Sequence, residues 1–481
     1  MTKMTKFRNF NFFLFLGMLL TGFLLVFSNN TSPLYPYSYG IDSAFYRYMG
    51  SVILQGKTPY VDLWEHKGPV LYFIQALGAL NGTRNEKLSF IFIMQIFSLL
   101  FSVIFLYKIN QRISVSKHSS LRFFLLLTVA LSVLGNTLEG GNLTEEWSLP
   151  MICCSLYLFI NYALQTNRNT GHPCKYSYIH GICLALITFI RINNAVSIFA
   201  GLLVIGINLL LKRQWKDFLK NILFGILGSL TVIIPIFIWF FRRNALNEMI
   251  YGTFIFNLKY SSEMPQNISK STWLFLCLPV FASLLLVLLH ILKTHHFRLI
   301  DNIVLVIAAA NLLMFTKIYR YPHYFIILVP FFLLTMILYV NKSNILTVII
   351  SIIVFAMCFD KCEKSIRYYL STDHTLLFSS AKLYFPKSEK NSAIAVDVPS
   401  SIYLNVGITP CSRFAAFQTR IFEIQPKFEE EFIETMKNKD PKWIISPCAI
   451  DSIVPYVSTL IETRYEYKFN DGSYCFFRQN E

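Results

Sequence analysis

Charged residues are scarce in this sequence. Asp, Glu, Lys and Arg make up 15% of its 481 residues, against about 25% in soluble globular domains. In contrast, 54% of the residues are hydrophobic and 45 are phenylalanine. This composition excludes an ordinary soluble domain and predicts an integral membrane protein.

A basic patch of the kind that binds nucleic acid is missing as well, although the formal net charge is +16. The lysines and arginines are scattered between apolar segments, and they form no patch with interleaved aromatic residues of the kind that binds nucleic-acid strands. We therefore expect no nucleic-acid partner. Basic loops on the cytoplasmic side, in contact with anionic membrane lipids, account for the charge.

Metal-binding spacings are also absent. The ten cysteines form no C-x-x-C pair, and neither His66 nor His323 has a second ligand at the spacing of a zinc site. No cofactor is indicated, and a divalent metal that helps to bind a phosphate stays open. Cys411, Cys448 and Cys475 lie in the polar C-terminal part, where one disulfide could form.

Long apolar runs dominate the chain up to residue 359. About eleven of them are long enough, alone or with neighbours, to cross a bilayer. The predicted fold class is therefore an α-helical polytopic membrane protein. The runs lie within residues 1–30 and at approximately 88–107, 123–134, 149–164, 178–190, 195–211, 222–241, 273–292, 303–315, 324–340 and 345–359.

Basic loops orient these predicted helices, because positive charge favours the cytoplasmic side. With eleven spans the N-terminus is cytoplasmic and the C-terminus extracytoplasmic, in a bacterial cytoplasmic membrane. The segment 178–211 is basic at both ends, so it must cross twice, with a break at 191–194. The basic loops are residues 108–122, 165–175, 212–220, 293–298 and 341–344.

Four polar segments then fall together on the outer side, at residues 40–74, 139–150, 191–194 and 317–324. They bring acids, bases and aromatic residues to one face of the membrane. The predicted spans carry no Asp, Glu, Lys or Arg at mid-depth. A proton- or ion-coupled transporter usually needs such residues, so their absence argues against transport.

The outer segments contain an ordered set of motifs. These are Asp42 in the first outer loop, WEHKGPVLYF at 64–73, NLTEEW at 142–147 and RYPHY at 320–324. In order and sidedness they resemble the GT-C superfamily of polytopic glycosyltransferases. The resemblance is to the branch of the lipid A aminoarabinose transferases, the protein O-mannosyltransferases and the Rgt-type enzymes.

The resemblance implies a cell-envelope enzyme that moves a hexosyl or pentosyl group from a polyprenyl-phosphate donor to a lipid, glycan or protein acceptor. The family's first-loop Asp corresponds to Asp42, and its phosphate-binding Lys to Lys67. Here Lys67 is followed by Gly-Pro rather than Pro-Pro. Glu145 or Glu146 stands where many members have a second Asp.

The residue types suit this chemistry. An attacking hydroxyl needs a base, for which Asp42 is the candidate. The departing phosphate is a good leaving group, so the site needs fixed positive charge more than a strong acid. The candidate phosphate-binding residues are Lys67, Arg191, Arg320, His323 and Tyr324, and His66 and Trp64 complete the substrate loop.

Structural explanations compete with these roles. Asp42 could be a helix N-cap, Lys67 could extend to lipid headgroups, and Arg191 could simply end a short span. Glu145 and Glu146 are adjacent and cannot share a helix face, so at least one of them is expected in solvent.

The composition changes at Asp360. We predict a transmembrane catalytic domain over 1–359 and an extracytoplasmic α/β domain over 360–481. Strands are predicted at 392–398, 442–446, 464–469 and 473–478, a helix at 427–439, and a hairpin turn at 470–472.

A non-enzymatic membrane protein is the alternative, namely a flippase for polyprenyl-linked glycans or an assembly scaffold. A flippase needs cations that face a cavity through the bilayer. A transferase needs a carboxylate beside cations at one surface, and this second pattern is the one that the sequence has.

Overall fold

A computed structural model describes residues 11–34, 40–82, 89–114, 118–165, 171–263, 270–318, 321–339 and 377–480. Within these ranges five helices are long and apolar enough to cross a membrane. They are Phe90–Ile113, Thr144–Gln165, Ile192–Leu211, Trp215–Phe241 and Pro322–Tyr339. The predicted fold class, a polytopic helical membrane protein, is confirmed, while the number of eleven spans stays a prediction.

The chain divides into two compact units, and the first comprises residues 1–29, 94–237 and 265–367. Its described part is helical. Besides the long helices above, five more helices lie wholly in this described part: Phe12–Ser28, Ser119–Thr137, Cys174–Thr188, Lys270–Thr294 and Leu299–Ile318. The segment Pro322–Tyr339 consists of a 3-10 helix, Pro322–Leu328, followed by an α-helix, Val329–Tyr339.

Small residues let the helices of this unit approach closely. A Cβ atom at Gly181 would lie 2.0 Å from the carbonyl oxygen of Gly225, so only glycine fits there. Close contacts of this kind are a common way for membrane helices to pack, because lipid gives no hydrophobic drive for their association.

The predicted break at 191–194 is confirmed. The helix Cys174–Thr188 ends before it, a 3-10 turn covers Ile192–Ala195, and a new helix runs from Val196 to Leu211. The polar residues Arg191, Asn193 and Asn194 are thereby placed in a turn rather than in the middle of a span.

The second unit comprises residues 30–93, 238–264 and 368–481. Two helices, Ile41–Leu54 and Pro69–Gly78, pack closely against each other at Gly50. A Cβ atom added at Gly50 would lie 2.5 Å from the backbone of Gln75. Two further helices, Leu246–Ile250 and Phe256–Glu263, flank a π-helical turn at Tyr251–Ile255.

The C-terminal part of this unit contains a four-stranded sheet in the order β1-β2-β4-β3. The strands are β1 (Ala393–Ala395), β2 (Trp443–Pro447), β3 (Tyr465–Asp471) and β4 (Tyr474–Gln479). Strands β1 and β2 are parallel, and the other pairs are antiparallel. All four predicted strands are confirmed. The predicted hairpin is also confirmed, but its turn lies at Gly472 and Ser473, because Asn470 and Asp471 belong to β3. Gly472 takes a positive φ of 60°.

Helices accompany the sheet, and one of them, Pro426–Lys439, confirms the predicted amphipathic helix. The others are Ser379–Tyr384, Ser401–Asn405, Gln418–Ile424 and Pro455–Arg464. A disulfide joins Cys448 at the end of β2 to Cys475 in β4. The predicted domain boundary at 359/360 lies outside the described residues, and both it and the orientation in the membrane stay predictions.

Candidate functional site

Three consecutive residues of the second unit, Glu65, His66 and Lys67, form a charged cluster. Nδ1 of His66 lies 2.7 Å from Oε1 of Glu65, and Nζ of Lys67 lies 2.8 Å from Nε2 of His66 and 3.7 Å from Oε1 of Glu65. A lysine ammonium can only donate, so Nε2 of His66 accepts and Nδ1–H faces Glu65. The three side chains therefore form one cluster, joined by the Lys67–His66 hydrogen bond and by the close contacts of both basic groups with Glu65.

Burial and charge oppose each other at Glu65. Burial by itself would raise the pKa of its carboxyl group, but Lys67 and His66 outweigh burial and hold that pKa well below its ordinary value. Glu65 is therefore a carboxylate at neutral pH. Glu65 is not among the predicted site residues, although it lies in the WEHKGPVLYF motif.

Tyrosines fix the backbone of this cluster. The Tyr60 hydroxyl donates to the carbonyl of Lys67 at 2.7 Å, and the Tyr72 hydroxyl donates to Oε2 of Glu65 at 3.2 Å while it accepts from the N–H of Lys67. The side chain of Asn257 donates to the carbonyl of His66 at 2.5 Å. The lysine thus projects from a rigid loop and keeps some exposure, 12% of its side chain.

Trp64 supports this loop from inside the protein. Its ring is 1% exposed and packs within 5.0 Å of the rings of Phe256 and Phe428. Its backbone N–H donates to the carbonyl of Arg413. The predicted role of Trp64 in a substrate loop stays a prediction, since the indole faces other aromatic side chains.

Asp42 lies in the first turn of the helix Ile41–Leu54, where Gly40 is the N-cap. The alternative that Asp42 is the cap is therefore wrong. Its side chain is half-buried and has no hydrogen-bond or ion-pair partner among the described residues. Such a carboxylate can accept a proton from a substrate, and its role as the general base stays a prediction.

A second charged group lies in the first unit, around Glu145 and Arg191. Oε1 of Glu145 and Nη1 of Arg191 are 2.6 Å apart, and the hydroxyl of Thr144 donates to Oε2 of Glu145 at 2.8 Å. The guanidinium of Arg191 lies over the ring of Tyr324, 4.1 Å from its centroid. The helix Thr144–Gln165 thus supplies Thr144 and Glu145, the turn after residue 190 supplies Arg191, and the 3-10 helix Pro322–Leu328 supplies Tyr324.

A small cavity opens beside this ion pair. Its lining combines a charged pair, two carboxamides, an aromatic ring and two apolar side chains: Glu145, Arg191, Asn193, Asn194, Met314, Tyr324 and Ile327. The structure therefore brings Glu145, Arg191 and Tyr324 together, as expected for residues of one site.

His323 pairs with a carboxylate that was not singled out from the sequence. Its Nδ1 contacts Oε2 of Glu139, which precedes two glycines in a loop where residues 139–142 all have positive φ. The signal that could have indicated Glu139 is this Gly140-Gly141 pair, because glycines permit the left-handed turn that aims the carboxylate.

Glu146 has different surroundings from Glu145. Its carboxylate accepts hydrogen bonds from Nε2 of Gln95 at 3.0 and 3.1 Å, from the backbone N–H of Asn142 at 2.6 Å and from Nδ2 of Asn29 at 3.4 Å. Both glutamates are 1% exposed, so the expectation that one of them is solvated is wrong. Each one has its own polar partners, on different sides of the helix.

Arg320 lies outside the described residues. Of the other predicted residues, Lys67, His66, Trp64 and Asp42 belong to the second unit. Glu145, Glu146, Arg191, His323 and Tyr324 belong to the first. Within the described part of the chain no three His, Cys, Asp or Glu side chains are grouped as metal ligands, and a divalent metal stays an untested expectation.

The fold is that of GT-C membrane proteins. One similar structure is ArnT from Cupriavidus metallidurans bound to undecaprenyl phosphate, with a TM-score of 0.61, 12% identity, and coverage of 96% of this chain and 97% of that chain. Another is the archaeal oligosaccharyltransferase AglB from Archaeoglobus fulgidus in complex with an inhibitory peptide and a dolichol-phosphate. It has a TM-score of 0.52 and 11% identity, over 98% of this chain and 75% of that chain. The fold expected from the resemblance is confirmed.

The chain belongs to the family described as "Putative competence-induced protein Ccs4 N-terminal domain", whose profile matches residues 4–348. No curated protein matches the sequence.

Proposed function

We propose that the protein is a membrane glycosyltransferase. It transfers a sugar from a polyprenyl-phosphate donor to a lipid, glycan or protein acceptor at the outer side of the bacterial cytoplasmic membrane. The observation that carries the proposal is the Glu65–His66–Lys67 cluster, in a chain whose fold is similar to that of an undecaprenyl-phosphate-bound protein.

The cluster suits a phosphate. The ammonium of Lys67 has three N–H groups and its side chain stays 12% exposed, so it can donate to a phosphate oxygen beside the loop. Fixed cations stabilise the phosphate both when the donor binds and when it departs as an anion. Because the tyrosines already hold the loop, little reorganisation is needed when the phosphate binds.

Asp42 supplies the base in this proposal. An acceptor hydroxyl attacks the anomeric carbon and forms the new glycosidic bond, while the bond from that carbon to the phosphate oxygen breaks. The proton of the hydroxyl passes to the carboxylate of Asp42, and polyprenyl phosphate leaves with the bonding electron pair. The reaction therefore balances without a cofactor.

The disulfide supports the proposed location. Disulfides persist in oxidising compartments and are rare in the cytosol. Cys448–Cys475 therefore favours a C-terminal part outside the cytoplasm, which is where the basic loops also direct it.

The test is transfer by the purified full-length protein in lipid. Undecaprenyl phosphate carrying single sugars is offered with membrane glycolipid acceptors, and mass spectrometry follows the products. We expect one donor to give free undecaprenyl phosphate and a glycosylated acceptor. Movement of the lipid-linked sugar between leaflets without any new glycosidic bond would instead favour the flippase alternative.

Glycans and lipids from a deletion strain provide the complementary measurement. A single missing sugar on one class of surface molecule would identify both the donor sugar and the acceptor. Unchanged surface molecules under conditions in which the wild-type protein is made would contradict the proposal.

A further inference from the structure

The Glu65–His66–Lys67 cluster contains a carboxylate and an ammonium that offset each other. Burial raises the pKa of the Glu65 carboxyl group, but Lys67 and His66 hold it well below its ordinary value, so the group is ionised. His66 is neutral in this arrangement, because its Nε2 accepts a hydrogen bond from Nζ of Lys67 at 2.8 Å. The three side chains therefore carry no net charge before a ligand binds.

A cluster without net charge is a poor site for an anion. A phosphate that accepts from Nζ of Lys67 shares this ammonium with Oε1 of Glu65, which lies 3.7 Å from it. The side chains of Lys67 and Glu65 are only 12% and 8% exposed, so water screens the repulsion between the two anions poorly. One more positive charge is needed, and a histidine is the side chain that gains one most readily near neutral pH.

The carboxylate beside His66 favours that gain. Nδ1 of His66 lies 2.7 Å from Oε1 of Glu65, and a carboxylate at this distance stabilises a charged imidazole ring. The hydroxyl of Tyr72, on the neighbouring helix, donates to the other oxygen of Glu65 at 3.2 Å and helps to keep the carboxylate in place. Lys67 opposes protonation as long as its ammonium contacts Nε2.

The helix Phe256–Glu263 packs against the other side of His66. Its Tyr260 lies with its ring 4.6 Å from the imidazole, measured between centroids, and a phenol ring carries no charge near neutral pH. Lys259 of the same helix donates to the side chain of Gln425 at 3.0 Å. Among the described side chains that contact the imidazole, the charged ones are therefore those of its two sequence neighbours.

We propose that His66 takes up a proton when the phosphate of the donor binds, so that the site becomes cationic only with its ligand. A phosphate oxygen accepts from Nζ of Lys67 and draws the ammonium away from Nε2 of His66. Nε2 takes a proton from water and donates the resulting N–H to the phosphate, while Nδ1–H stays directed at Glu65. The proposal rests on the proposed function, and it gives His66 a defined task in the substrate loop.

This proton also suits the departure of the phosphate. The donor is a phosphodiester with one negative charge, and a second charge develops on the phosphate as the bond to the anomeric carbon breaks. An imidazolium beside the ammonium of Lys67 stabilises that charge better than a neutral ring does. Donor binding and stabilisation of the leaving group therefore depend on the same proton.

The test measures binding to the purified full-length protein in detergent at several pH values. The probe is the monomethyl ester of undecaprenyl phosphate, a phosphodiester of constant charge, so any pH dependence comes from the protein. Because the complex holds one more proton than the free protein, affinity falls as the pH rises. We expect affinity to be about three- to tenfold higher at about pH 6 than at about pH 8. Undecaprenol, which lacks the phosphate, should show no such dependence.

Calorimetry counts the proton directly. Binding heats in two buffers of different ionisation enthalpy give the number of protons taken up per bound diester. At about pH 7.5 we expect about 0.5–1 proton for the wild-type protein. His66→Gln should take up none, because a glutamine can accept from Lys67 but cannot be protonated. His296→Gln is the matched control, since His296 is exposed, and it should keep the wild-type uptake.

Glu65→Gln separates charge balance from a structural role. The amide keeps the shape of the side chain, and its oxygen can still accept from the hydroxyl of Tyr72. The cluster then has a net positive charge without a proton on His66. We expect higher affinity for the diester than in the wild-type protein at about pH 8, and less proton uptake. A purely structural role of Glu65 predicts lower affinity at every pH.

Three results would overturn the inference. Diester binding that depends on Lys67 but not on pH, without proton uptake, would do so and leave the proposed function standing. Proton uptake that His66→Gln retains would do so as well. Diester binding that does not depend on Lys67 would contradict both the inference and the proposed phosphate site.

Two further results would support the inference. Proton uptake that needs His66, in a protein that transfers no sugar from any donor, would support it and contradict the proposed function. If His66→Gln does not fold, the remaining measurements still decide. Wild-type uptake together with the raised affinity of Glu65→Gln supports the inference, and absence of uptake overturns it.

Discussion

Asp42 gives the most direct test of the proposed reaction by a single substitution. Asp42→Asn preserves the shape of the side chain and removes its basicity, and no cap is lost because Gly40 is the N-cap. Loss of a general base slows a reaction by roughly 10²- to 10⁴-fold. We expect normal amounts of the variant in the membrane, unchanged binding of undecaprenyl phosphate, and transfer slowed at least about a hundredfold in a single-turnover assay.

Glu145→Gln is the companion substitution in the first unit. If Asp42→Asn transfers sugar at nearly the wild-type rate while Glu145→Gln does not, the base has been assigned to the wrong carboxylate. Both variants need the same check, which is the thermal unfolding temperature of the purified protein.

Glu146 is expected to hold the loop that carries Glu139, without touching substrate. Its carboxylate accepts the backbone N–H of Asn142 and the side chain of Gln95. Glu146→Gln turns one acceptor into a donor that faces Gln95. We expect the free energy of unfolding to fall by about 1–3 kcal/mol, as for a buried donor left without its acceptor, and thermal unfolding measures the change.

A double variant separates this positioning role from catalysis. Gln95→Glu combined with Glu146→Gln again places one carboxylate opposite one amide, so stability should recover, and with it any transfer that Glu146→Gln loses. Recovery of stability with transfer still abolished would mean that the carboxylate of Glu146 takes part in the chemistry.

At the scale of the elements, Arg413 joins the C-terminal part of the second unit to the loop that precedes Lys67. Its guanidinium donates twice to Glu431 at 2.6 Å and once to the carbonyl of Tyr60 at 2.8 Å. Its own carbonyl accepts the N–H of Trp64. The helix Pro426–Lys439 and the loop of Lys67 are therefore parts of one structure.

Arg413→Ala should loosen that loop. We expect the thermal unfolding temperature to fall and the KM for the donor to rise more than kcat falls, because the loop holds the phosphate-binding lysine. Arg420→Ala is the control, since its pair with Glu423 at 2.6 Å is more exposed and such pairs contribute about 0–1 kcal/mol. Equal effects of the two substitutions on KM would rule out a positioning role for Arg413.

The helices and strands could be predicted from the sequence because each depends on the local spacing of apolar and polar residues. The strand KWIIS and the helix KFEEEFIETMKNK lie within two residues of where period and charge put them. The partners of the site residues could not be predicted in this way. Gln95 and Asn29 reach Glu146 across 51 and 117 residues, and only packing of the helices reveals that both adjacent glutamates are buried.

The residues around Asp42 correctly indicate that a helix starts there, but the N-cap is Gly40 and not Asp42. The sequence Gly40-Ile41-Asp42-Ser43 contains a favourable capping residue, but the backbone turns into the helix two residues earlier, at Gly40. Propensity therefore located the start of the helix without identifying its first residue. That difference matters here, because it frees the carboxylate from a capping role.

At the scale of the whole molecule, the disulfide links stability to location. Cys448–Cys475 closes a loop of 27 residues, and the chain-entropy relation assigns such a loop about 3–4 kcal/mol of stability. The bond forms only if the C-terminal part reaches an oxidising compartment. The predicted orientation, with an extracytoplasmic C-terminus, therefore determines whether this part of the protein has its full stability.

We expect Cys448 and Cys475 to be oxidised in cells. Intact cells are treated with a membrane-impermeant alkylating reagent, with and without a reductant, and the purified protein is analysed by mass spectrometry. Both cysteines should be modified only after reduction, whereas the buried Cys153 should stay unmodified under either condition.

A variant with serine at 448 and 475 should unfold at a lower temperature and still insert in the membrane. Free thiols at both positions in untreated cells, shielded from the impermeant reagent, would place the C-terminus in the cytoplasm. An outer-face reaction could not then use the loop of Lys67 that Arg413 holds.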